Sequence, residues 1–177
     1  MKKGRTAIFI DGSNLYNNLK RYKIKTSFEN LIRRLETKRK VVSIYYYAAL
    51  LDKEYNEERF EKHNEFLEKI KLIPNLHVVL CNLRKTNLKD GSIEFSIKGD
   101  DVYLATDLIK GSFKDEYDVA IIVSGDEDFI PAIKVVQENN KKVINAFFPK
   151  SSSYLLRNCY DGSINLKKAL TKKEVLI

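Results

Sequence analysis

Two short apolar runs, at residues 6–10 and 118–123, constrain the fold of this chain more than any other feature. They contain mostly isoleucine, valine, alanine and phenylalanine, and each gives way to a polar sequence that contains aspartate. Continuous apolar runs of this length predict strands that are buried on both faces, as in a parallel sheet covered by helices. The sequence therefore predicts an α/β fold with these two runs at its centre.

Further strand and helix signals alternate along the chain. Runs rich in β-branched and aromatic residues predict strands at 41–51, 76–81 and 143–148, and Lys-Asp-Gly-Ser at 89–92 predicts a hairpin turn. This alternation predicts a three-layer sandwich with a mainly parallel central sheet, a Rossmann-like arrangement. Amphipathic periodicity and capping residues predict helices at 15–22, 28–36, 54–73, 101–109, 129–139 and 151–158.

The charge of the chain is positive and unevenly distributed. Its 177 residues, enough for one domain, include 32 Lys plus Arg against 24 Asp plus Glu, a net charge of +8. Residues 20–40 hold nine bases and two acids, whereas residues 52–68 hold seven acids and three bases. A one-sided basic field favours a polyanionic partner, and a lysine-rich solvated surface is the alternative. The candidate nucleic-acid contacts in the basic segment are Arg33, Arg34, Arg39 and Lys40.

Cysteine content and hydropathy limit the class of protein. The chain has two cysteines, Cys81 and Cys159, and two histidines, too few for a disulfide framework or a structural zinc site. It has no apolar run of 18 residues and no signal-peptide pattern after Met1, so we expect a cytoplasmic location and no membrane partner. Residues 167–177 are expected to form a short basic tail. Both a monomer and a homodimer are compatible with the sequence.

The polar residues after the two apolar runs form the first candidate site. Asp11 directly follows the first run, where Gly12 permits a sharp turn, and Asp126 and Asp128 follow the second run after Ser124 and a glycine. The carboxyl ends of parallel strands meet at one edge, so these acids should meet. Asp126 and Asp128 have an alternative role as caps of the next helix. Several carboxylates in one place repel one another unless divalent cations neutralise them, which predicts a metal site for phosphodiester chemistry.

A third acidic group opens the fourth predicted helix. Asp100 and Asp107 are seven residues apart and share a helical face, whereas Asp101 shares a face with apolar residues unless it lies at the helix start. Spacing therefore leaves Asp100 and Asp101 undecided as the functional acid. Two other residues also have two interpretations. Lys98 is either a phosphate contact or a surface lysine, and Asn14 either caps a helix or orients metal or substrate.

Three motifs resemble the signature blocks of NYN-domain proteins (the DUF88/LabA-like group), a family in the PIN-like nuclease superfamily. They are Phe-Ile-Asp-Gly-Ser-Asn at 9–14, Lys-Gly-Asp-Asp-Val at 98–102 followed by Asp107, and Ser-Gly-Asp-Glu-Asp-Phe at 124–129. The family usually has Lys-Gly-Val-Asp in the second block, so the resemblance assigns the acidic role to Asp101 and makes Asp100 a departure. It implies a PIN-like domain over residues 1–166.

The resemblance also implies an activity, the cleavage of RNA with Mg²⁺ or Mn²⁺. Phosphate contacts next to exposed bases suit a cleft that holds single-stranded RNA. The alternative is a non-catalytic RNA- or protein-binding regulatory adaptor that retains the acidic pocket. Together, the motifs and the resemblance give as candidates Asp11, Asp101, Asp126 and Asp128 as catalytic and metal-binding acids, Asp107 as a further metal ligand, and Asn14, Ser124 and Asp100 as supporting residues.

Overall fold

The computed structural model describes residues 4–36, 38–51, 53, 56–87, 93–151, 156 and 158–171. Among the helices in these ranges, none is long and apolar enough to cross a membrane. The strands are β1 (Arg5–Asp11), β2 (Lys40–Leu50), β3 (Leu76–Asn87), β4 (Ile93–Lys98), β5 (Val119–Val123), β6 (Lys142–Phe147) and β7 (Gly162–Asn165). The helices are α1 (Gly12–Arg21), α2 (Phe28–Glu36), α3 (Glu57–Ile70), α4 (Asp100–Phe113), α5 (Ile130–Glu138) and α6 (Leu166–Thr171), and a 3₁₀ turn spans Glu127–Phe129.

The described strands form one sheet in the order β4-β3-β2-β1-β5-β6-β7. Within it, all neighbouring strands pair in parallel except the edge strand β4, which is antiparallel to β3. The chain moves outward from β1 through β2 and β3 on one side, and from β5 through β6 and β7 on the other. The predicted α/β fold with a mainly parallel sheet is confirmed, and the strand order reverses between β1 and β5.

The register of the two central strands brings their ends together. Ile10 of β1 pairs with Val123 of β5, so Asp11 and Ser124 follow paired positions on the same side of the sheet. We call the side on which β1 and β5 end the carboxyl edge, and the side on which they begin the amino edge. In open α/β sheets, functional groups collect outside the carboxyl ends of the strands where the strand order reverses. Asp11 and the loop after β5 lie at such a point.

Two apolar layers, one on each face of the sheet, hold the helices. Side chains alternate along β1, so Ile8 and Ile10 pack in one layer while Phe9 packs in the other. Each large side chain buried in this way stabilises the fold by roughly 1.5–3 kcal/mol. Because both faces of the central strands are covered, β1 is apolar from Ala7 to Ile10 and β5 is apolar throughout. The first layer receives Leu15, Leu31, Leu35 and Leu67 from α1, α2 and α3, and the second receives Leu104, Leu108 and Ile133 from α4 and α5.

The ends of several helices are set by capping side chains. α1 begins at Gly12, earlier than predicted, because the Asp11 carboxylate caps it. α3 begins after its cap Asn56, within the segment predicted to be helical. Ser27 caps α2, since its Oγ accepts a hydrogen bond from the Asn30 backbone N–H at 3.1 Å.

Two C-terminal elements have no counterpart among the predicted ones. β7 is four residues long and pairs in parallel with β6, and α6 follows it with Leu166 fully buried. The segment predicted to be a basic tail, residues 167–177, therefore begins inside a helix. The predicted turn at 89–92 and most of the predicted helix at 151–158 lie outside the described residues.

Candidate functional site

Asp11 is the most firmly held acid at the carboxyl edge. It ends β1, is 6% exposed, and caps α1 through its Oδ1, which accepts hydrogen bonds from the Asn14 backbone N–H and the Ser13 hydroxyl at 2.9 Å each. Its Oδ2 accepts a hydrogen bond from the Ser124 hydroxyl at 3.0 Å. Three donors therefore fix the orientation of this carboxylate and link β1 to the loop after β5.

Ser124 connects Asp11 to Asp126. Its hydroxyl oxygen accepts a hydrogen bond from the Asp126 backbone N–H at 3.1 Å while its proton points to Asp11. The Asp126 side chain caps the 3₁₀ turn by accepting a hydrogen bond from the Asp128 N–H at 2.9 Å. The capping role considered for Asp126 is thus present, and it aims the carboxylate at the edge where Asp11 lies.

Asn145 is a part of this network that the sequence patterns did not single out. It lies in the middle of β6, is fully buried, and donates hydrogen bonds from Nδ2 to the Ser124 carbonyl at 2.8 Å and the Ile122 carbonyl at 3.4 Å. The signal that could have revealed it is an asparagine inside an apolar strand, because a buried amide must find partners. Asn145 anchors the loop that carries Asp126 to the neighbouring strand.

Asn14 ties α1 to the same loop. Its Oδ1 accepts hydrogen bonds from Asn18 Nδ2 at 3.0 Å and from the Gly125 backbone N–H at 3.3 Å. Asp11 supplies the side-chain cap of α1, so the capping alternative for Asn14 is wrong. The amide of Asn14 instead positions the turn before Asp126.

Two glycines allow the backbones at this edge to approach one another. A Cβ atom on Gly12 would lie 2.4 Å from the Tyr47 carbonyl oxygen, and one on Gly125 would lie 1.8 Å from the Ser151 carbonyl oxygen. The chain turns directly from β1 into α1 at Gly12, and because φ of Gly12 is not positive, the glycine serves this turn through the space it leaves beside Tyr47. Close backbone packing is the reason for glycine at both positions.

The acids of α4 join the group at the carboxyl edge. The pKa of the Asp101 carboxyl is raised to about 6, first by burial and then by the charges of four neighbouring carboxylates. Burial also raises the pKa of Asp11, against the effect of its hydrogen bonds, and the charge of Asp100 adds to the rise. Electrostatic repulsion between these groups shows that the three sequence blocks converge. The carboxylates that act on Asp101 belong to Asp100, Asp11, Asp126 and Asp128.

The donors at this edge fit a hard divalent cation. All are carboxylate oxygens, which Mg²⁺ and Mn²⁺ prefer, and their mutual repulsion would be relieved by a cation. Among the described residues, no three Asp, Glu, His or Cys side chains converge closely enough to form a ready coordination sphere. Mg²⁺ retains several waters, so Asp11, Asp101, Asp126 and Asp128 could share such an ion partly through water.

Asp107 and Lys40 lie farther along their elements than the acids described above. The Tyr47 hydroxyl donates a hydrogen bond to Asp107 at 3.0 Å, and Asp107 lies two turns, about 10 Å, along α4 from Asp100. Lys40 pairs with Arg5 at the amino edge, six residues of β1 or about 20 Å from Asp11.

The other predicted contacts are more dispersed than their proximity in sequence suggested. Arg33 and Arg34 are in the last turn of α2, and Arg39 immediately precedes β2 at the amino edge. The backbone of Lys98 ends β4, where it pairs with Asn82 next to the start of α4. The structure therefore brings the acids together, and of the predicted bases the backbone of Lys98 lies beside them, whereas Arg39 and Lys40 lie at the amino edge.

Comparison with known proteins agrees with this geometry. The family model described as the NYN domain matches residues 5–167. A crystal structure of a protein of unknown function from Vibrio parahaemolyticus has the same fold, with a TM-score of 0.71, 26% identity, and coverage of 95% of this chain and 96% of that one. The reductase domain of an aureusimine biosynthetic cluster reaches a TM-score of only 0.32 at 11% identity, with 82% of this chain and 33% of that chain covered, so it does not share the fold to a useful degree. No curated protein matches the chain.

Proposed function

The chain belongs to the NYN domain family, which is part of the PIN-like nuclease superfamily, and from this premise we propose that it is a ribonuclease. The reaction is hydrolysis of phosphodiester bonds in single-stranded RNA with Mg²⁺ or Mn²⁺. The proposed site is the carboxyl edge, where Asp11, Asp101, Asp126 and Asp128 would hold the cation.

One observation carries the proposal: acids from three separate sequence blocks meet at the carboxyl edge, where the charges that act on Asp101 are those of other carboxylates. Asp101 experiences the charges of four other carboxylates, and its pKa is raised to about 6. A fold maintains such repulsion at a cost in stability, so a functional reason is expected. Binding a divalent cation that also binds a phosphate would supply that reason.

The acids at the carboxyl edge would have different roles in holding the cation. Asp11 is fixed by three hydrogen bonds and so provides a rigid ligand position, while Asp126 is held by the turn that it caps. Asp101 is half-buried with a raised pKa, so a bound cation would favour its charged form. When bound there, a divalent cation lowers the pKa of water and neutralises charge on the phosphate oxygens.

An RNA cleavage assay tests the proposal. Wild-type protein should cut a labelled single-stranded RNA in Mg²⁺ or Mn²⁺ and lose activity in EDTA, and Asp126→Asn should lower the rate roughly a hundredfold or more. Glu138→Gln, which removes an exposed carboxylate at the end of α5, serves as the matched control and should cut at the wild-type rate. Equal rates for wild type and Asp126→Asn would refute the nuclease and favour the alternative of a non-catalytic adaptor.

A further inference from the structure

The loop after β6 touches the acidic edge. Ser151 lies so close to Gly125 that a Cβ atom on the glycine would overlap the Ser151 carbonyl oxygen, and Gly125 directly precedes Asp126. Ser151 also closes a turn onto Phe148, with its backbone N–H and its hydroxyl each donating to the Phe148 carbonyl at 3.0 Å. Lys150, in the same turn, is therefore held close to the loop that carries Asp126.

Tyr22 joins this turn to two helices. Its ring stacks on Phe148 at 5.5 Å, and its hydroxyl oxygen accepts a hydrogen bond from the Lys150 backbone N–H at 2.8 Å. On the other side, the Lys167 ammonium group lies 5.5 Å from the centre of the Tyr22 ring. Through Tyr22, the end of α1, the start of α6 and the turn after β6 contact one another and form one surface beside the acidic edge.

This surface is positive. Among the residues that the structure describes, the segments that contain Tyr22, Lys150 and Lys167, residues 12–28, 148–151 and 162–171, have no aspartate or glutamate. Five basic residues next to Tyr22 in the sequence or in its contacts are exposed. None of the five is ion-paired with any described carboxylate. We name these five residues the Tyr22 surface: Lys20, Arg21, Lys23, Lys150 and Lys167.

We propose that the Tyr22 surface binds the backbone phosphates of the RNA strand that flank the scissile bond. The inference rests on the proposed function, because it assigns further contacts to the same substrate. Unpaired ammonium and guanidinium groups attract phosphate, and a positive surface that adjoins an acidic, cation-binding edge places the strand across both. Arg39 and Lys40 lie near the amino edge instead, about 20 Å from Asp11 along β1.

The test measures binding without cleavage. A short fluorescein-labelled oligouridine is titrated with full-length protein in EDTA over a KCl series, and anisotropy gives the Kd at each salt concentration. Each phosphate contact in single-stranded nucleic acid contributes about 0.7 to the slope of log affinity against log salt. Lys150→Ala/Lys167→Ala should therefore lower the slope by about 1.4 and weaken binding roughly 10- to 30-fold at about 0.1 M KCl.

A control pair removes the same charge elsewhere. Lys110 is in the third turn of α4 and Lys142 begins β6 at the amino edge, and both are exposed. Lys110→Ala/Lys142→Ala should change the affinity less than about twofold, because these residues lie away from the Tyr22 surface. Lys150→Arg/Lys167→Arg keeps the charge and should retain wild-type binding, which shows that the sites tolerate substitution.

The outcomes separate this inference from the nuclease proposal. If Lys150→Ala/Lys167→Ala binds with the wild-type slope, or if the control pair loses as much affinity, the inference is overturned, while metal-dependent cleavage by the wild type still supports the nuclease. If the lysine pair loses affinity and the control pair does not, the surface is an RNA-binding site. That result stands even where the wild type fails to cut, which would overturn only the nuclease.

Discussion

Aspartates at the two edges of the sheet have opposite charged neighbours, and their pKa values shift in opposite directions. At the amino edge, the Arg5 guanidinium lies 2.9 Å from Asp115 and 2.8 Å from Asp118, and Lys141 also pairs with Asp115. Hydrogen bonds from Arg5 lower the pKa of Asp118 to about 2. At the carboxyl edge, burial and the charges of four other carboxylates together raise the pKa of Asp101 to about 6.

The comparison separates acids that are ion-paired within the protein from acids that repel one another. β5 separates Asp118, just before it, from Asp126, which follows it by three residues. Acids at the amino edge are neutralised within the protein, so they stabilise the folded state and need no further partner. The acids at the carboxyl edge instead repel one another, and the cation proposed to bind there would relieve that repulsion.

The largest expected effect comes from crowding the carboxyl edge at Gly125. Gly125→Ala places a methyl group on the Ser151 carbonyl oxygen, so one of the two loops must shift. We expect the free energy of unfolding to fall by about 2–3 kcal/mol, measured by urea denaturation. Gly162→Ala is the matched control, because its Cβ would meet only Ile144, at 3.8 Å, and it should be nearly neutral. Similar losses for both variants would show that Gly125 is not a special contact.

A smaller loss is expected when the anchor of the Asp126 loop is removed. Asn145→Ala leaves the Ser124 carbonyl without its 2.8 Å donor in a fully buried position, and should lower the free energy of unfolding by about 1.5 kcal/mol. Because Ser124 bonds both Asp11 and Asp126, the variant should also bind Mg²⁺ more weakly. Asn17→Ala, on the exposed side of α1, is the control. Thermal melts in a Mg²⁺ series measure this affinity. An affinity equal to that of wild type would show that Asn145 does not support the proposed cation site.

The fold and the positions of Asp11 and Asp126 could be predicted because short segments of the sequence determine both. Long apolar runs indicate buried central strands, and an aspartate directly after such a run lies at the carboxyl edge whatever the rest of the chain does. Asp11 satisfies that condition, Asp126 follows its run after Ser124 and Gly125, and the structure brings the two acids together through Ser124. β7 was not predicted, since Gly-Ser-Ile-Asn has little strand character and forms through its pairing with β6.

The basic contacts were harder to predict, because charges that cluster in sequence need not cluster in space. Residues 20–40 run from the end of α1 through α2 to the start of β2, and so from near the Tyr22 surface to the amino edge. Lys150 and Lys167 are distant from that segment in sequence, yet Tyr22 brings them beside it. The role of Asn145 was also hard to predict, because its position in a core strand does not show which carbonyl groups it bonds.

The comparison between the edges becomes sharpest when one acid is neutralised at the carboxyl edge. Asp101→Asn removes a charge that is costly in the folded state. The pKa of Asp101 rises from 3.8 to about 6 on folding, so this cost is absent below pH 3.8 and complete above about pH 6. After allowance for solvent screening, the variant should be about 1 kcal/mol more stable than wild type at neutral pH in EDTA, and equal to it near pH 4.

Mg²⁺ should reverse that advantage. A cation that binds only the folded site stabilises it with the logarithm of its concentration, so the Tm of wild type should climb with Mg²⁺ while that of Asp101→Asn climbs much less. Thermal melts in EDTA and in a Mg²⁺ series check both statements. Parallel responses of the two proteins to Mg²⁺ would contradict a cation site at the carboxyl edge, whatever their order in EDTA.

The smallest effect, and the one of opposite sign, is expected from Asp118→Asn at the amino edge. Folding lowers the pKa of Asp118 from 3.8 to about 2, so its contribution to stability is present above pH 3.8 and is lost as the pH falls towards 2. Because Arg5 and Asp118 are both partly exposed, the loss at neutral pH should be only about 0.5 kcal/mol. Mg²⁺ should shift the Tm of this variant exactly as it shifts wild type, since the carboxyl edge is intact. A stabilising Asp118→Asn, or one that blunts the response to Mg²⁺, would mean that the two edges do not differ in the way their pKa shifts indicate.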